Sequence, residues 1–213
     1  MTSCCARDYE KMFGHKTAER DARRFRQRGL RGSAKALAEL AGDVHGESVL
    51  EIGGGIGTIE IELLEAGAER TTNVELAATY EDTARALLVE RGLGERVDRR
   101  IGDFVADAGD IAAHDVVVMH RVVCCYPDVD ALVGAAADRA RRRLVLTYPQ
   151  ERAIVRVGFR VGNALLKLRG TTFRAYVHPV RRIEAAAQAH GLAPETRVRH
   201  GFLWESAAFS AAR

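Results

Sequence analysis

The sequence predicts an α/β fold, because short apolar runs alternate with amphipathic segments, the pattern of βαβ units around a parallel sheet. Three observations carry that expectation. The runs SVLEI, TTNVE, VDRRI, DVVVMH and RLVLTYP are β-prone, and the segments between them place apolar residues at helical spacing. A glycine loop, GGGIG, stands directly between the first run and a helix. The closing stretch ETRVRHGFLWESAAFSA reads as an antiparallel hairpin turning at His200-Gly201. The sum is seven strands, with helices between the first five.

In chain order, residues 1–32 form a charged arm with no strand to join. GSAKALAELAG follows, with Leu37, Leu40 and Ala41 on one helical face and Ser33 placed to cap it. SVLEI (48–52) is the first strand, and TIEIELLEAG continues the glycine loop as a helix. TTNVE (71–75) is the second strand, and ATYEDTARALLVERG a second helix ending at Gly92. VDRRI, rich in charge, is a weaker third strand that leads into Gly102-Asp103-Phe104. DVVVMH (115–120) is short, β-branched and unbroken, as a strand buried on both faces must be. Asp128 caps the helix DVDALVGAAADRA, and RLVLTYP (143–149) is a fifth strand stopped by Pro149. The amphipathic segment ERAIVRVGFRVGNALLKLRG reads as a helical insertion within about residues 150–178, followed by the helix PVRRIEAAAQAHG.

The chain has 213 residues, enough for one substantial core, and its 47% apolar and 29% charged content is that of a globular domain. No run approaches ~18 apolar residues and the N-terminus lacks a signal-like apolar stretch, so the expectation is a cytoplasmic protein with no membrane partner. The net charge of +3 is small, but arginine concentrates in residues 16–35 and from Arg139 to Arg199. Such a face is either solvated surface or an attractor of phosphates and carboxylates, and nucleic acid is the lesser of these partners. The four cysteines form two doublets, Cys4-Cys5 and Cys124-Cys125. Adjacent cysteines bridge to each other only under strain, and neither doublet has the C-x2-4-C spacing of zinc sites, so no metal site is expected. Nothing in the sequence separates a monomer from a homodimer.

The glycines at 53, 54, 55 and 57 let the backbone approach a ligand at a strand-to-helix turn. A full G-x-G-x-x-G fingerprint would need glycine where Thr58 stands. Glu51, inside the motif, suits a cationic ligand better than a pyrophosphate. Glu75 closes the second strand about 20 residues beyond the loop, where a carboxylate can accept ribose hydroxyls, and Leu76 follows it. Asp103 is placed to accept from an adenine amino group, with Phe104 beside the ring.

With Glu51-x-Gly53-x-Gly55-x-Gly57, Glu75, Gly102-Asp103-Phe104 and DVVVMHRVV in place, the chain resembles the class I S-adenosylmethionine-dependent methyltransferases from about residue 33 to its end. The resemblance implies a Rossmann-like seven-stranded sheet of order 3-2-1-4-5-7-6 with strand 7 antiparallel and helices on both faces. It also implies S-adenosyl-L-methionine as cofactor, S-adenosyl-L-homocysteine as product, and a binding domain over 33–213. In the second half, HRVVCCYPD, RRRLVLTYP and FRAYVHPVRRIEAAAQAHGL are similar to the magnesium-protoporphyrin IX methyltransferases. Those enzymes carry a functional tyrosine on an N-terminal arm, a position for which Tyr9 is the candidate. They have a histidine before the Tyr-Pro of the strand-four loop, where this chain has Cys125, so the porphyrin carboxylate is not carried over as the acceptor.

The implied chemistry is an in-line displacement in which the protein positions an acceptor and, where needed, takes its proton. Excluding water helps such a step, so residues 1–32 are expected to act as a lid with Tyr9, Phe13 and the arginines facing inward. His120, Cys125 and Tyr9 are the catalytic candidates, and His120 also lies against the cofactor. Cys124, Tyr126, Cys4, Cys5 and His178 are the candidates for holding the acceptor. The expected acceptor is a small molecule methylated on oxygen or sulfur. The alternatives are thiol-dependent methylation of a soft metal or metalloid such as arsenite, a metalloid-binding module without catalysis, and an RNA methyltransferase. The doublets themselves are either packed small hydrophobes, participants in acceptor or proton handling, or soft-ion ligands.

Overall fold

A computed structural model describes residues 12–211. Its elements are α1 (His15–Arg28), α2 (Gly32–Ala41), β1 (Ser48–Ile52), α3 (Thr58–Glu65), β2 (Arg70–Glu75), α4 (Glu81–Glu90), β3 (Val97–Ile101) and a one-turn α5 (Phe104–Asp107). They continue as β4 (His114–His120), α6 (Val129–Asp138), β5 (Ala140–Pro149), α7 (Ala153–Leu168), α8 (Val180–Ala189), β6 (Leu192–His200) and β7 (Trp204–Ala211). The strands form one sheet of order β3-β2-β1-β4-β5-β7-β6, with β1 to β5 parallel and β7 antiparallel to both neighbours. The order and the reversed strand are those the sequence implied.

The unbroken apolar run of β4 follows from its central position. Val116 and Val118 join the core on the α1–α4 side, whereas Val117 and Met119 join the core under α6 and α8. Alternate side chains of a strand point to opposite faces, so a strand covered on both sides must be apolar at every position. β5 divides in the same way, with Val145 in one core and Leu144 and Leu146 in the other.

Three boundaries differ from expectation. β5 begins at Ala140 rather than at residue 143, because Ala140 already pairs with His114 and arginines are tolerated where the strand emerges from the core. β6 begins at Leu192 and includes Pro194, beside an irregularity in pairing between Pro194 and Thr196. β6 is an edge strand, where a missing N–H costs no ladder bond. Ser33 does not cap α2; the helix starts one residue earlier, and the Ser33 hydroxyl is engaged elsewhere. Asp128 caps α6 as read, its Oδ1 accepting from the Ala131 amide at 3.1 Å.

The arm, from the first described residues, packs as a helix. Ala18, Ala22 and Phe25 of α1 are buried, Phe13 O accepts from Thr79 Oγ1, and Arg26 pairs with Glu90 at 2.7 Å. Its arginines 20, 23, 24, 26 and 28 are exposed, contrary to the inward orientation expected of them. The buried face is set by the alanines and Phe25, which leaves the arginines to solvent. Tyr9, Cys4 and Cys5 lie outside the described residues. The insertion is helical through α7 and then extends to α8, with Asn163 both donating to and accepting from the Ala175 backbone at 2.7 and 2.9 Å. One face of α7 packs inward through Val155, while Ile154, Val157, Val161, Leu165 and Leu168 are exposed on another. Among the described residues no helix is long and apolar enough to cross a membrane.

Candidate active site

At the carboxyl ends of β1 to β4 lies a cleft of about 340 Å³. This is where an open parallel sheet diverges at its switch point and leaves room for a ligand. Its wall includes Gly53, Gly55, Glu75, Leu76, Asp103 and Phe104, together with His120, Arg121, Cys125 and Tyr126. Phe13 and Asp21 close it from the arm.

The glycine turn is shaped by left-handed backbone. Gly53 has φ +65°, and a Cβ there would come within 2.5 Å of the Val122 side chain; Gly57 has φ +75° and starts α3. Gly53 and Gly55 line the cleft, whereas Gly54 lies against Asn73 and Glu51.

Glu51 does not reach the cleft. Its carboxyl group is buried beneath the loop, where Oε2 accepts from the Glu60 amide at 2.9 Å and faces the Asn73 amide nitrogen at 3.5 Å. Burial, then the charge of Glu60, pushes its pKa well above the ordinary 4.5. Glu60 is also raised by burial, but Arg99 opposes that rise, so Glu51 is the more easily protonated of the two. Arg99 donates to Glu60 at 3.0 Å, to Glu81 at 2.9 Å and to the Gly55 carbonyl at 2.9 Å, with its side chain 2% exposed. These residues were not singled out in the sequence. The charge that made β3 look weak belongs to a side chain folded under the loop, and only the β2–β3 register brings it there.

Glu75 stands where expected, at the end of β2 in the cleft wall. Its Oε2 accepts from the Gly55 amide and its Oε1 from the Ala77 amide, both at 2.8 Å. The Gly55 peptide is therefore clamped at its N–H by Glu75 and at its carbonyl by Arg99. Burial raises the Glu75 pKa, and the two amides oppose that rise. Asp103 caps α5 through the Val105 amide at 3.0 Å, and Tyr126 Oη lies 3.4 Å from the same oxygen.

His120 ends β4. Its Nε2 is 3.0 Å from Ser33 Oγ, and that hydroxyl accepts from Arg121 Nη2 at 2.9 Å. Ser33 thus links the His120 ring to the Arg121 guanidinium. Burial, aided by the charges of Arg121 and His200, pushes the His120 pKa down to about 3, so the ring is neutral near pH 7. A ring this weakly basic is a poor proton acceptor near neutral pH. The folded value lies below the ordinary 6.5, so the unfolded chain takes up the proton first as pH falls. The stability that His120 contributes is complete above pH 6.5 and is lost as pH falls toward 3. Urea unfolding at pH 7 and pH 5 is expected to show a larger loss in the native chain than in His120→Gln, whose side chain does not titrate. Equal losses would contradict the buried, neutral assignment.

Arg121 alone among the described non-glycine residues has positive φ, at 60°, and its guanidinium lies 4.5 Å from the Trp204 ring centroid. The chain then enters a 3-10 turn over Val123–Cys125. Cys125 and Tyr126 line the cleft, but Cys124 is buried behind them. His178 does not line the cleft either. Its Nε2 donates to the Tyr126 carbonyl at 2.9 Å while its ring stacks on Tyr176, so it braces the loop from behind. Asp21 and Tyr80 are wall residues that the sequence did not reveal, because their inward direction depends on how α1 and α4 pack.

No protein-family model matches the chain, and no curated protein matches it in sequence. Solved structures do match. The magnesium protoporphyrin IX methyltransferase from Synechocystis PCC 6803, with bound S-adenosyl-L-homocysteine, superposes with a TM-score of 0.68 at 19% identity, covering 85% of this chain and 84% of that one. An O-methyltransferase family protein from Burkholderia thailandensis gives 0.71 at 17% identity, covering 94% of this chain and 63% of that one. The geranyl diphosphate C-methyltransferase from Streptomyces coelicolor A3(2) gives 0.68 at 14% identity, with 84% and 78% covered. With its strand order, its reversed β7 and a cleft at the carboxyl ends of β1 to β4, the chain has the class I S-adenosylmethionine-dependent methyltransferase fold.

Proposed function

We propose that the protein is an S-adenosylmethionine-dependent methyltransferase that methylates a small molecule on oxygen or sulfur. The observation that carries this reading is the pairing of two sets of groups in one cleft. Carboxylates from Asp21, Glu75 and Asp103 line it together with the apolar side chains of Ile52, Val74, Leu76 and Phe104, and His120, Cys125 and Tyr126 line the same space, with Tyr126 Oη 3.4 Å from Asp103 Oδ1. The first set fits a cationic ligand with hydroxyls and a flat heteroaromatic ring. Each Glu75 oxygen accepts one backbone amide and keeps acceptor capacity for ribose hydroxyls. Asp103 has the same capacity toward an amino group, and Gly53 and Gly55 allow close approach of the backbone. Glu51 acts beneath the loop and shapes it. When bound, S-adenosylmethionine supplies an electrophilic methyl group on a sulfonium.

The second set receives the acceptor. A neutral, buried His120 helps to position it but is a poor sink for a proton. An acceptor already deprotonated at neutral pH, or one with an acidic thiol or hydroxyl, therefore suits the cleft. Residues 1–32 serve as the lid over the domain 33–213, which Phe13 and Asp21 in the wall support. Calorimetric titration tests the reading, with S-adenosylmethionine and S-adenosylhomocysteine expected to bind at ~1–100 μM. No binding by ~1 mM would overturn it. A screen with labelled cofactor over thiols, phenols, carboxylates and arsenite then identifies the acceptor.

A further inference from the structure

Consecutive side chains ordinarily diverge, toward opposite faces of a strand or about 100° apart around a helix. Cys124 and Cys125 converge. Their Sγ atoms are 3.5 Å apart, and both approach the Arg121 carbonyl, at 3.2 and 3.7 Å. The backbone is held in this arrangement from three directions. The Cys125 amide donates to Val122 O at 2.8 Å, Tyr176 N donates to Cys124 O at 2.7 Å, and His178 Nε2 donates to Tyr126 O at 2.9 Å. Cys124 is buried, and Cys125 forms part of the cleft wall, so the pair is approached from the cleft.

We propose that Cys124 and Cys125 form a bidentate site for a trivalent soft metalloid, such as an arsenic(III) compound. Thiolates favour soft centres. A centre with sulfur bonds of about 2.3 Å and a pyramidal angle near 100° spans about 3.5 Å between sulfurs, against about 3.8 Å at a tetrahedral ion. The observed 3.5 Å, a thiol–thiol contact, already brings the sulfurs to the span of such a centre. With an arsine oxide the reaction forms two As–S bonds and breaks the As=O bond and two S–H bonds. One water leaves, and arsenic stays trivalent, so no oxidant or reductant is needed. Bound there, the ligand occupies the cleft beside His120. The inference stands whether or not the chain transfers methyl groups.

The test uses phenylarsine oxide and the full chain carrying Cys4→Ser and Cys5→Ser, which removes the other doublet. Intact-mass measurement is expected to show one phenylarsenic group bound with two thiols consumed, resisting a monothiol and released by a dithiol. Cys125→Ser and Cys124→Ala in that background are each expected to lower affinity at least tenfold, with thermal melting confirming that each variant is folded. Cys125 is only partly buried, so Cys125→Ser is the variant to rely on if Cys124→Ala is unstable. Absence of the dithiol-specific adduct, or unchanged affinity in Cys125→Ser, would overturn the proposal. S-adenosylmethionine titration of the same variants reports separately on the methyltransferase reading.

Discussion

Replacing Arg99 with methionine is expected to destabilise the fold by about 3–5 kcal/mol. Arg99 sits 2% exposed against Glu60, whose side chain is 0% exposed, and it also holds Glu81 and the Gly55 carbonyl. Methionine keeps most of the volume but leaves the Glu60 carboxylate buried without a counter-charge, held only by neutral donors such as Thr71 Oγ1 at 3.1 Å. The contrast is Arg26–Glu90, with the same donor–acceptor fit at 2.7 Å but both side chains more than 40% exposed. There, Arg26→Ala is expected to change stability by no more than about 1 kcal/mol, since solvent screens an exposed pair. Urea unfolding of the two variants gives the comparison. Adding Glu60→Gln to Arg99→Met should recover part of the loss by removing the stranded charge. An Arg99→Met loss below about 1 kcal/mol would show that the site rearranges or admits water.

The second large effect falls on ligand binding. Glu75→Gln is nearly isosteric, yet Glu75 accepts backbone N–H groups at both oxygens, from Gly55 and Ala77. The glutamine amide supplies a donor at one of those positions, so donor meets donor and one loop amide loses its acceptor. An unsatisfied buried group costs about 1–3 kcal/mol. Because the loop and the proposed ribose contacts share this carboxylate, the S-adenosylmethionine dissociation constant is expected to rise about 100-fold, or roughly 2.7 kcal/mol. Glu75→Asp keeps both acceptors but draws them back by one methylene, and should fall between native and Glu75→Gln. If Glu75→Gln binds within about threefold of the native chain, Glu75 does not serve both loop and ligand.

Both predictions depend on residues whose partners are remote in sequence. Arg99 and Gly55 are 44 positions apart, and Ser33 and His120 are 87 apart. No local pattern signals such pairings. Ser33 illustrates the gap: its type and position suit a helix cap, and only the packing of α2 across β4 brings its hydroxyl to His120. Glu51 illustrates another. It lies inside the glycine motif, but the alternation of β1 turns its carboxyl group beneath the loop, to the Glu60 amide. His178 was drawn to the cleft by its neighbours in sequence and instead braces the outside of the Cys124-Cys125 turn.

What the sequence determined by itself was the sheet and the place of the cleft. Strand alternation, glycines with positive φ and the cap at Asp128 are local, set by sterics and by hydrogen bonds within a few residues. The short apolar runs, a glycine turn after the first and carboxylates after the second and third therefore placed Gly53, Gly55, Glu75 and Asp103 at one edge of the sheet. What only the tertiary structure decided was the work of each polar group there. The direction a side chain faces, and the proton it carries once buried, depend on neighbours brought in by other elements. That is why burial raises Glu51 further than Glu60, His120 is only a weak base, and two adjacent thiols meet at 3.5 Å.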